Sequence, residues 1–197
     1  FSPSHNEFAL DLALLVNEMQ LLNAVNGSIF HNHVSAKSAI MGHSMGGGAT
    51  MLAAANNSTI ETIVGLAPAE TNPSAIDICS LIDVPALIMS GSSDGVTPPQ
   101  DHHIPIYDSL GSSCKYFVSA TGGAHCYFAE PNFNCDFGEG SASSGISISR
   151  SEQHTIMYNY IKPWFDFKLK GNCGSLSSFD SLLLVDTDIT YNSSCTF

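Results

Sequence analysis

The feature that most constrains the fold is a glycine-rich turn between an apolar segment and an alanine-rich segment. The turn reads Gly42-His43-Ser44-Met45-Gly46, a G-x-S-x-G pattern. Residues 38–41 before it predict a buried strand, and residues 46–55 after it predict a helix packed tightly on that strand. In this pattern a sharp turn presents the serine at the carboxyl edge of a sheet, and its glycines avoid collisions with the flanking strand and helix. The alternative is a purely structural turn, but the flanking segments favour an exposed serine nucleophile.

The rest of the chain alternates between strand-like and helix-like segments. Further apolar runs predict strands that are covered on both faces, and helical patterns separate them. We expect strands at 60–66, 84–90 and 115–120, and helices at 6–22, 104–110 and 151–170, the last with a kink at Pro163. A long Gly- and Ser-rich connection, 125–151, is expected to border a binding site. The alternation predicts an α/β fold, a parallel sheet with helices on both faces.

Length and charge restrict the class of protein and its partners. A chain of 197 residues buries one substantial core, so we expect one globular domain. Six Lys and Arg stand against 18 Asp and Glu, a formal net charge of −12. This charge repels phosphate backbones, and no apolar run is long enough to cross a bilayer. We therefore expect no nucleic-acid partner and no membrane span.

The six cysteines indicate an oxidising compartment. They lack the paired spacing of a zinc site, which favours disulfides and a secreted or periplasmic protein. Several pairings are open, and we expect neighbours along the chain to pair. These pairs are Cys79–Cys114, Cys126–Cys135 and Cys173–Cys195. The last would fasten the Ser- and Asn-rich tail, 171–197, to the end of the final helix.

Two further residues have the placement that a serine nucleophile requires. A serine hydroxyl needs a histidine to accept its proton and a carboxylate to orient that histidine. Asp94 follows the predicted strand 84–90, where a loop at the carboxyl end of the strand carries an acid. A β-turn aspartate is the alternative reading, and Asp101 is the reserve candidate. His125 follows the strand 115–120 among small residues, so we expect Ser44, Asp94 and His125 to act together.

The other histidines lack such a placement. His43 flanks the serine but is expected to point elsewhere in the turn, and His102 and His103 are expected on the surface. His31 and His33 give only a weak metal signal, because no third ligand lies nearby in the sequence. We therefore expect neither a metal nor a cofactor.

Acyl transfer also requires donors to the oxyanion of the tetrahedral intermediate. One donor is the backbone N–H of the residue after the nucleophile, which is Met45. The second donor normally lies on a loop after an earlier strand, and only one predicted helix and a polar segment precede the turn.

These residues resemble secreted α/β-hydrolases related to the cutinase-like polyester hydrolases, PET hydrolases included, and dienelactone-hydrolase-like esterases. The similar stretches are the elbow 42–48 with the helix segment 53–57, the strand 84–88, the helix 105–110 and the histidine loop 122–125. The resemblance implies an α/β-hydrolase fold, with 1–170 as the C-terminal portion of a catalytic domain and 171–197 as its disulfide-stapled tail. It implies ester hydrolysis through an acyl-enzyme at Ser44, a subsite at Val96 and a C-terminal disulfide between Cys173 and Cys195.

The chain differs from the family that it resembles in two ways that affect the expected function. Ala69 stands where polyester hydrolases have an aromatic wall, and it offers no ring to stack on terephthalate. A smaller or more flexible acyl ester is therefore the expected substrate. The early strands of the family would precede Phe1, so we expect an N-terminal companion segment to cover the edge of the elbow strand. The alternatives are a catalytically impaired binding module and an acyltransferase with the same triad.

Overall fold

A computed structural model describes residues 4–195, and seven α-helices and five β-strands lie within that range. The helices are α1 (His5–Ala24), α2 (Met45–Ala55), α3 (Ala75–Ile78), α4 (His103–Ser109), α5 (Phe133–Ala142), α6 (Arg150–Lys170) and α7 (Cys173–Val185). The strands are β1 (Ser38–His43), β2 (Ile60–Leu66), β3 (Ala86–Gly91), β4 (Cys114–Ala120) and β5 (Ile189–Cys195).

The strands form a single sheet in the order β1-β2-β3-β4-β5. The first four are parallel, and β5 runs antiparallel to β4. The carboxyl ends of β1, β3 and β4 therefore lie along one edge of the sheet, where Ser44, Asp94 and His125 follow them. Because loops at this edge carry the functional groups of α/β proteins, the topology places the three predicted residues along one edge.

Helices cover both faces of the sheet, and each face has its own apolar core. Alternate residues of a strand point to opposite faces, so Val64 belongs to one core and Ile63 to the other. The first core packs β2 to β5 against α6 and α7, with Trp164, Tyr160 and Phe179 fully buried at its centre. The second packs β1 to β3 against α1, α2 and α4. Burial on both faces explains why β2 and β3 are largely apolar. The expectation of a buried strand at 38–41 was wrong, because β1 lies at the sheet edge, where only Ile40 is fully buried and Met41 is exposed.

The helix α6 has strong signals at both of its ends. Ser149 and Glu152 form a reciprocal capping box at its start, and Gly171 ends it in the left-handed conformation with φ 69°. Pro163 lies inside this helix, which continues to Lys170. The strands and helices predicted before residue 121 are confirmed. Each observed end lies no more than two residues from the predicted one.

Two regions contain helices or a strand that the sequence patterns did not predict. The connection between His125 and α6 contains α5, which begins at Phe133 with Asn132 as its N-cap. The tail beyond residue 170 forms α7 and β5, and β5 extends the sheet. Phe179 and Leu183 are spaced four apart and bury against the first core, a helical pattern within a segment otherwise rich in serine.

Two of the three expected disulfides are wrong. The structure contains the predicted bond between Cys126 and Cys135, but Cys114 is bonded to Cys195. The reason is the unpredicted strand β5, whose register places Cys195 directly opposite Cys114. Cys79 is a buried free thiol, and Cys173 is a free thiol at the exposed start of α7. The expected pairs Cys79–Cys114 and Cys173–Cys195 therefore do not form.

The elbow strand β1 lies at the edge of the sheet. Among the described residues its one hydrogen-bonded neighbour is β2, as the sequence predicted. Beside this edge, α1 exposes several leucines, among them Leu14 and Leu15. The companion segment expected there stays a prediction. No helix in the range 4–195 has the length and apolarity to cross a membrane.

Candidate active site

The turn at the end of β1 holds Ser44 in a strained conformation. Its φ of 57° and ψ of −125° lie outside the regions that L-residues normally occupy. The Ser44 N–H donates to Leu66 O at 3.0 Å, which ties the turn to the end of β2. A Cβ on Gly42 would lie 2.1 Å from Gly46 O, so this glycine is required by close backbone approach. The collision expected at Gly46 is absent, because a Cβ there would meet no atom within 4 Å.

The helix α2 begins directly after Ser44, at Met45. The first backbone N–H groups of a helix have no intrahelical acceptor, so the Met45 N–H is available as the predicted oxyanion donor. Beside this helix start lies a groove of about 380 Å³, which is lined by Ser44, Met45 and the α1 residues Phe8, Leu12 and Leu15. An acyl group attached to Ser44 would have apolar surroundings in this groove.

Asp94 lies in the loop after β3, and both of its carboxylate oxygens have partners. Oδ1 accepts the backbone N–H of Val96 at 2.9 Å and that of Thr97 at 2.7 Å. Oδ2 accepts the Thr97 hydroxyl at 3.0 Å and His125 Nδ1 at 2.8 Å. Burial raises the pKa of this carboxyl, but the hydrogen bonds and the nearby histidines outweigh that effect and lower the pKa below its ordinary value. Asp94 is therefore held as a buried carboxylate.

His125 lies in the loop after β4 and is almost completely buried. The loop is fixed by Gln153 of α6, whose side-chain amide accepts the Ala124 N–H and donates to the Ala124 carbonyl, both at 2.8 Å. The buried Glu139 of α5 accepts the N–H of Cys126 on the other side of the histidine. Both neighbours of His125 are thus fastened to helices. The sequence carried no local signal for either contact, because each joins residues well apart in the chain.

His43 contacts His125 rather than pointing elsewhere in the turn, so that expectation was wrong. Its Nε2 lies 3.0 Å from the His125 carbonyl oxygen, and the ring centroids are 4.6 Å apart. Burial, with a smaller contribution from the neighbouring His125, lowers the pKa of His43 to about 4. His43 is therefore a neutral ring packed between the elbow and the histidine loop.

The expectation that His103 is a surface residue was also wrong. It is completely buried at the start of α4, with Nε2 3.0 Å from Thr97 Oγ1. Its neighbour His102 is partly exposed and accepts the N–H of Glu70 at 2.9 Å. The short spacing from Asp94 to Thr97 is a sequence signal for a side-chain turn, and that turn places the Thr97 hydroxyl against His103.

The structure joins Asp94 to His125 directly and brings His43, the neighbour of Ser44, against His125. Among the hydrogen bonds of residues 4–195, none links the Ser44 hydroxyl to His125. Catalytic hydrogen bonds are often long or poorly aligned before substrate binds. The joint action of Ser44, Asp94 and His125 therefore stays a prediction with a supporting arrangement.

The remaining predicted site residues occupy varied environments. Val96 is 39% exposed beside Asp94, whereas Ala69 is buried and its N–H donates to Ser44 O at 2.9 Å. The reserve acid Asp101 is exposed in a turn. His31 bonds to the carbonyl of Asn23, and the described residues contain no cluster of three or more His, Cys, Asp or Glu that could hold a metal.

A mostly parallel sheet in which the elbow serine, the buried acid and the histidine follow β1, β3 and β4 defines the α/β-hydrolase class. Comparison with known proteins gives the family. The PETase family, described as PET hydrolase-like, matches residues 7–144, and the chain belongs to that family.

Individual relatives agree with this assignment. Cutinase 1 of Thermobifida cellulosilytica is 31% identical over 106 residues, which are 53% of this chain and 39% of that protein. Cutinase of Thermobifida fusca (strain YX) is 31% identical over 106 residues, which are 53% of this chain and 34% of that protein. Bis(hydroxyethyl) terephthalate hydrolase of Streptomyces coelicolor is 32% identical over 79 residues, 40% of this chain and 24% of that protein. The matches thus span well under half of each relative.

Proposed function

We propose that this chain cleaves carboxylic esters through an acyl-enzyme on Ser44. The observation that carries the proposal is the buried pair of His125 and Asp94, whose Nδ1 and Oδ2 atoms are 2.8 Å apart at the sheet edge that also bears the strained Ser44 turn. Buried acid–imidazole pairs beside a strained serine are the arrangement that activates a hydroxyl for acyl transfer.

Each residue has a defined part in the proposed reaction. Ser44 Oγ attacks the ester carbonyl carbon while His125 Nε2 accepts the hydroxyl proton. Asp94 accepts the Nδ1–H and stabilises the imidazolium, and the Met45 N–H donates to the oxyanion. His125 returns the proton to the departing alcohol, which leaves an acyl-serine. A water molecule then attacks the acyl-serine with His125 again as the base, which releases the carboxylic acid and restores Ser44.

We propose a small or flexible acyl group as the substrate class. The names of the relatives point to cutin and to an ester of terephthalate. In this chain Ala69 is buried against the elbow and offers no aromatic ring. The groove beside Ser44 is lined by the α1 side chains of Phe8, Leu12 and Leu15. Burial of apolar area in this groove favours aliphatic chains, and an aromatic acyl group finds no ring to stack on at Ala69.

We also propose that the protein functions in an oxidising compartment outside the cytoplasm. Two disulfides, Cys114–Cys195 and Cys126–Cys135, support this. Such bonds persist in secreted and periplasmic proteins and are rare where thiols are kept reduced.

The direct test is a panel of p-nitrophenyl esters of increasing acyl length, compared with p-nitrophenyl benzoate and with peptide p-nitroanilides. We expect hydrolysis of the short and medium aliphatic esters, slower hydrolysis of the benzoate, and loss of activity in S44A. Cleavage of the amides alone would contradict the ester assignment. Unaltered hydrolysis by S44A would contradict the nucleophile, and preferential transfer to added alcohols would identify an acyltransferase instead. Absence of all turnover would favour a binding module.

A further inference from the structure

His103 lies behind Asp94 and has no part in the reaction proposed above. Its Nδ1 is 2.8 Å from Ser90 Oγ, and its Nε2 is 3.0 Å from Thr97 Oγ1. Thr97 Oγ1 is in turn 3.0 Å from Asp94 Oδ2 and 2.8 Å from His125 Nδ1. His103 Nε2 itself is 3.7 Å from that oxygen, too far for a hydrogen bond. His103 therefore reaches the acid through the threonine hydroxyl.

The positions of the acceptors set the direction of the hydrogen bonds. The Ser90 hydroxyl has two acceptors, His103 Nδ1 at 2.8 Å and the Gly91 carbonyl at 3.5 Å, and the shorter bond is the stronger. A neutral imidazole that accepts at Nδ1 carries its hydrogen on Nε2. His125 Nδ1 carries the hydrogen that Asp94 Oδ2 accepts, so it does not accept from the Thr97 hydroxyl. His103 then donates to Thr97 Oγ1, and the Thr97 hydrogen goes to Asp94 Oδ2. The bonds run in one direction from Ser90 to Asp94.

The opposite tautomer of His103 satisfies fewer groups. With its hydrogen on Nδ1, His103 would take the Thr97 hydrogen at Nε2, and Asp94 Oδ2 would lose that donor. Ser90 Oγ would then accept from Nδ1, and the Ser90 hydrogen would have only the Gly91 carbonyl at 3.5 Å as its acceptor. Because these groups are buried and unsatisfied buried polar atoms are costly, the Nε2–H tautomer is favoured.

The charge around His103 supports a neutral ring. The titratable groups facing it are Asp94, His125, His102 and His43. Burial lowers the pKa of His103 to about 3, although Asp94 acts in the opposite direction. A neutral His103 leaves the negative charge of Asp94 to the imidazolium that forms on His125 during the reaction.

We propose that His103 is a positioning residue for the acid, whose Nε2–H fixes the Thr97 hydroxyl on Asp94 Oδ2 and so holds the carboxylate toward His125. The backbone N–H groups of Val96 and Thr97 fix the other oxygen. Both oxygens of the acid are then constrained. The catalytic consequence rests on the proposed function, whereas the tautomer does not.

The first test is independent of activity. Long-range ¹H–¹⁵N correlation spectra of the S44A protein report the tautomer of each imidazole, with H103Q to assign the signal. We expect neutral His103 with its hydrogen on Nε2 from pH 5 to pH 8. S90A, which removes the donor to Nδ1, is expected to increase the Nδ1–H form. A predominant Nδ1–H form, or an imidazolium at pH 6, would overturn the proposal.

The second test is a double-mutant cycle on p-nitrophenyl acetate. In H103F the Thr97 hydroxyl loses the donor from His103, keeps His125 Nδ1 at 2.8 Å, and is free to turn its hydrogen toward the Ala67 carbonyl, 3.5 Å away. We expect kcat to fall about three- to tenfold with KM unchanged, as for the loss of one hydrogen bond. H103Q keeps an N–H donor and is expected to recover most of kcat, and H102Q serves as the neighbouring control.

The cycle separates a positioning role from a structural one. If His103 acts through Thr97, the double variant T97V/H103F is no slower than T97V alone. Full additivity of the two losses, or a wild-type kcat in H103F, would contradict the inference. If the unaltered protein hydrolyses no ester, the proposed function fails, and the tautomer measurement still decides the arrangement of His103.

Discussion

Mild acid should destabilise this protein, because the fully buried His103 and the partly buried His43 are neutral rings in the folded state. Burial is the largest cause of both shifts and lowers the pKa of His43 to about 4 and that of His103 to about 3. In the unfolded chain both rings titrate near pH 6.5. Between pH 6.5 and pH 4 the unfolded state therefore binds more protons than the folded state, and the free energy of unfolding falls as the pH falls.

The size of the effect follows from these values. Between pH 7 and pH 5 each histidine removes about 2 kcal/mol from the free energy of unfolding, and the pair removes about 4 kcal/mol. This is a large fraction of the total stability of a domain, about 5 to 15 kcal/mol. Urea unfolding at pH 7, 6 and 5, followed by circular dichroism, measures the free energy at each pH.

Variants separate the two histidines from other acid effects. H43Q and H103Q should each reduce the loss between pH 7 and pH 5 by about half, about 2 kcal/mol. I106V, a buried apolar substitution on α4, should lower stability equally at both pH values, since it changes no titrating group. Equal stability of the unaltered protein at pH 7 and pH 5, or an undiminished loss in both histidine variants, would refute the reasoning.

Three further predictions concern the loops that carry the site. Q153L removes both bonds to Ala124, so it should cost about 3 kcal/mol in urea unfolding and lower kcat more than it changes KM; unchanged kinetics would contradict this role. The double variant C126S/C135S opens the short loop after the histidine and should cost about 3 kcal/mol, and an unchanged melting temperature would oppose that estimate. S44G should be about 1 to 3 kcal/mol more stable than S44A, because glycine tolerates φ 57°; equal stability would contradict the strain.

Much of the sheet could be predicted because its signals are local. The parallel strands are short apolar runs between turns, and the elbow glycines mark the end of β1. The predicted acid and histidine were found in the same way, since each directly follows a strand. Strand β5 has no such signal, because polar residues dominate it and only its pairing with β4 makes it a strand. Because β5 was not predicted, Cys114 and Cys195 were each assigned a wrong disulfide partner.

The support around the site depends on tertiary contacts that the sequence does not display. His103 and Gln153 are polar residues in helices, and nothing local distinguishes them from the solvent-facing residues of the same helices. Their burial follows from the packing of α4 and α6 on the loops after β3 and β4. Groups that lie far apart in the chain are joined there, as with the bond between Gln153 and Ala124.

The most direct test of Ser44 as the nucleophile is covalent labelling with a fluorophosphonate probe, followed by mass spectrometry of the proteolysed protein. We expect a single adduct on the peptide that carries Ser44, no adduct on that peptide in S44A, and much slower labelling in H125F and D94N. An adduct on another serine, or no adduct on a folded protein, would contradict the account.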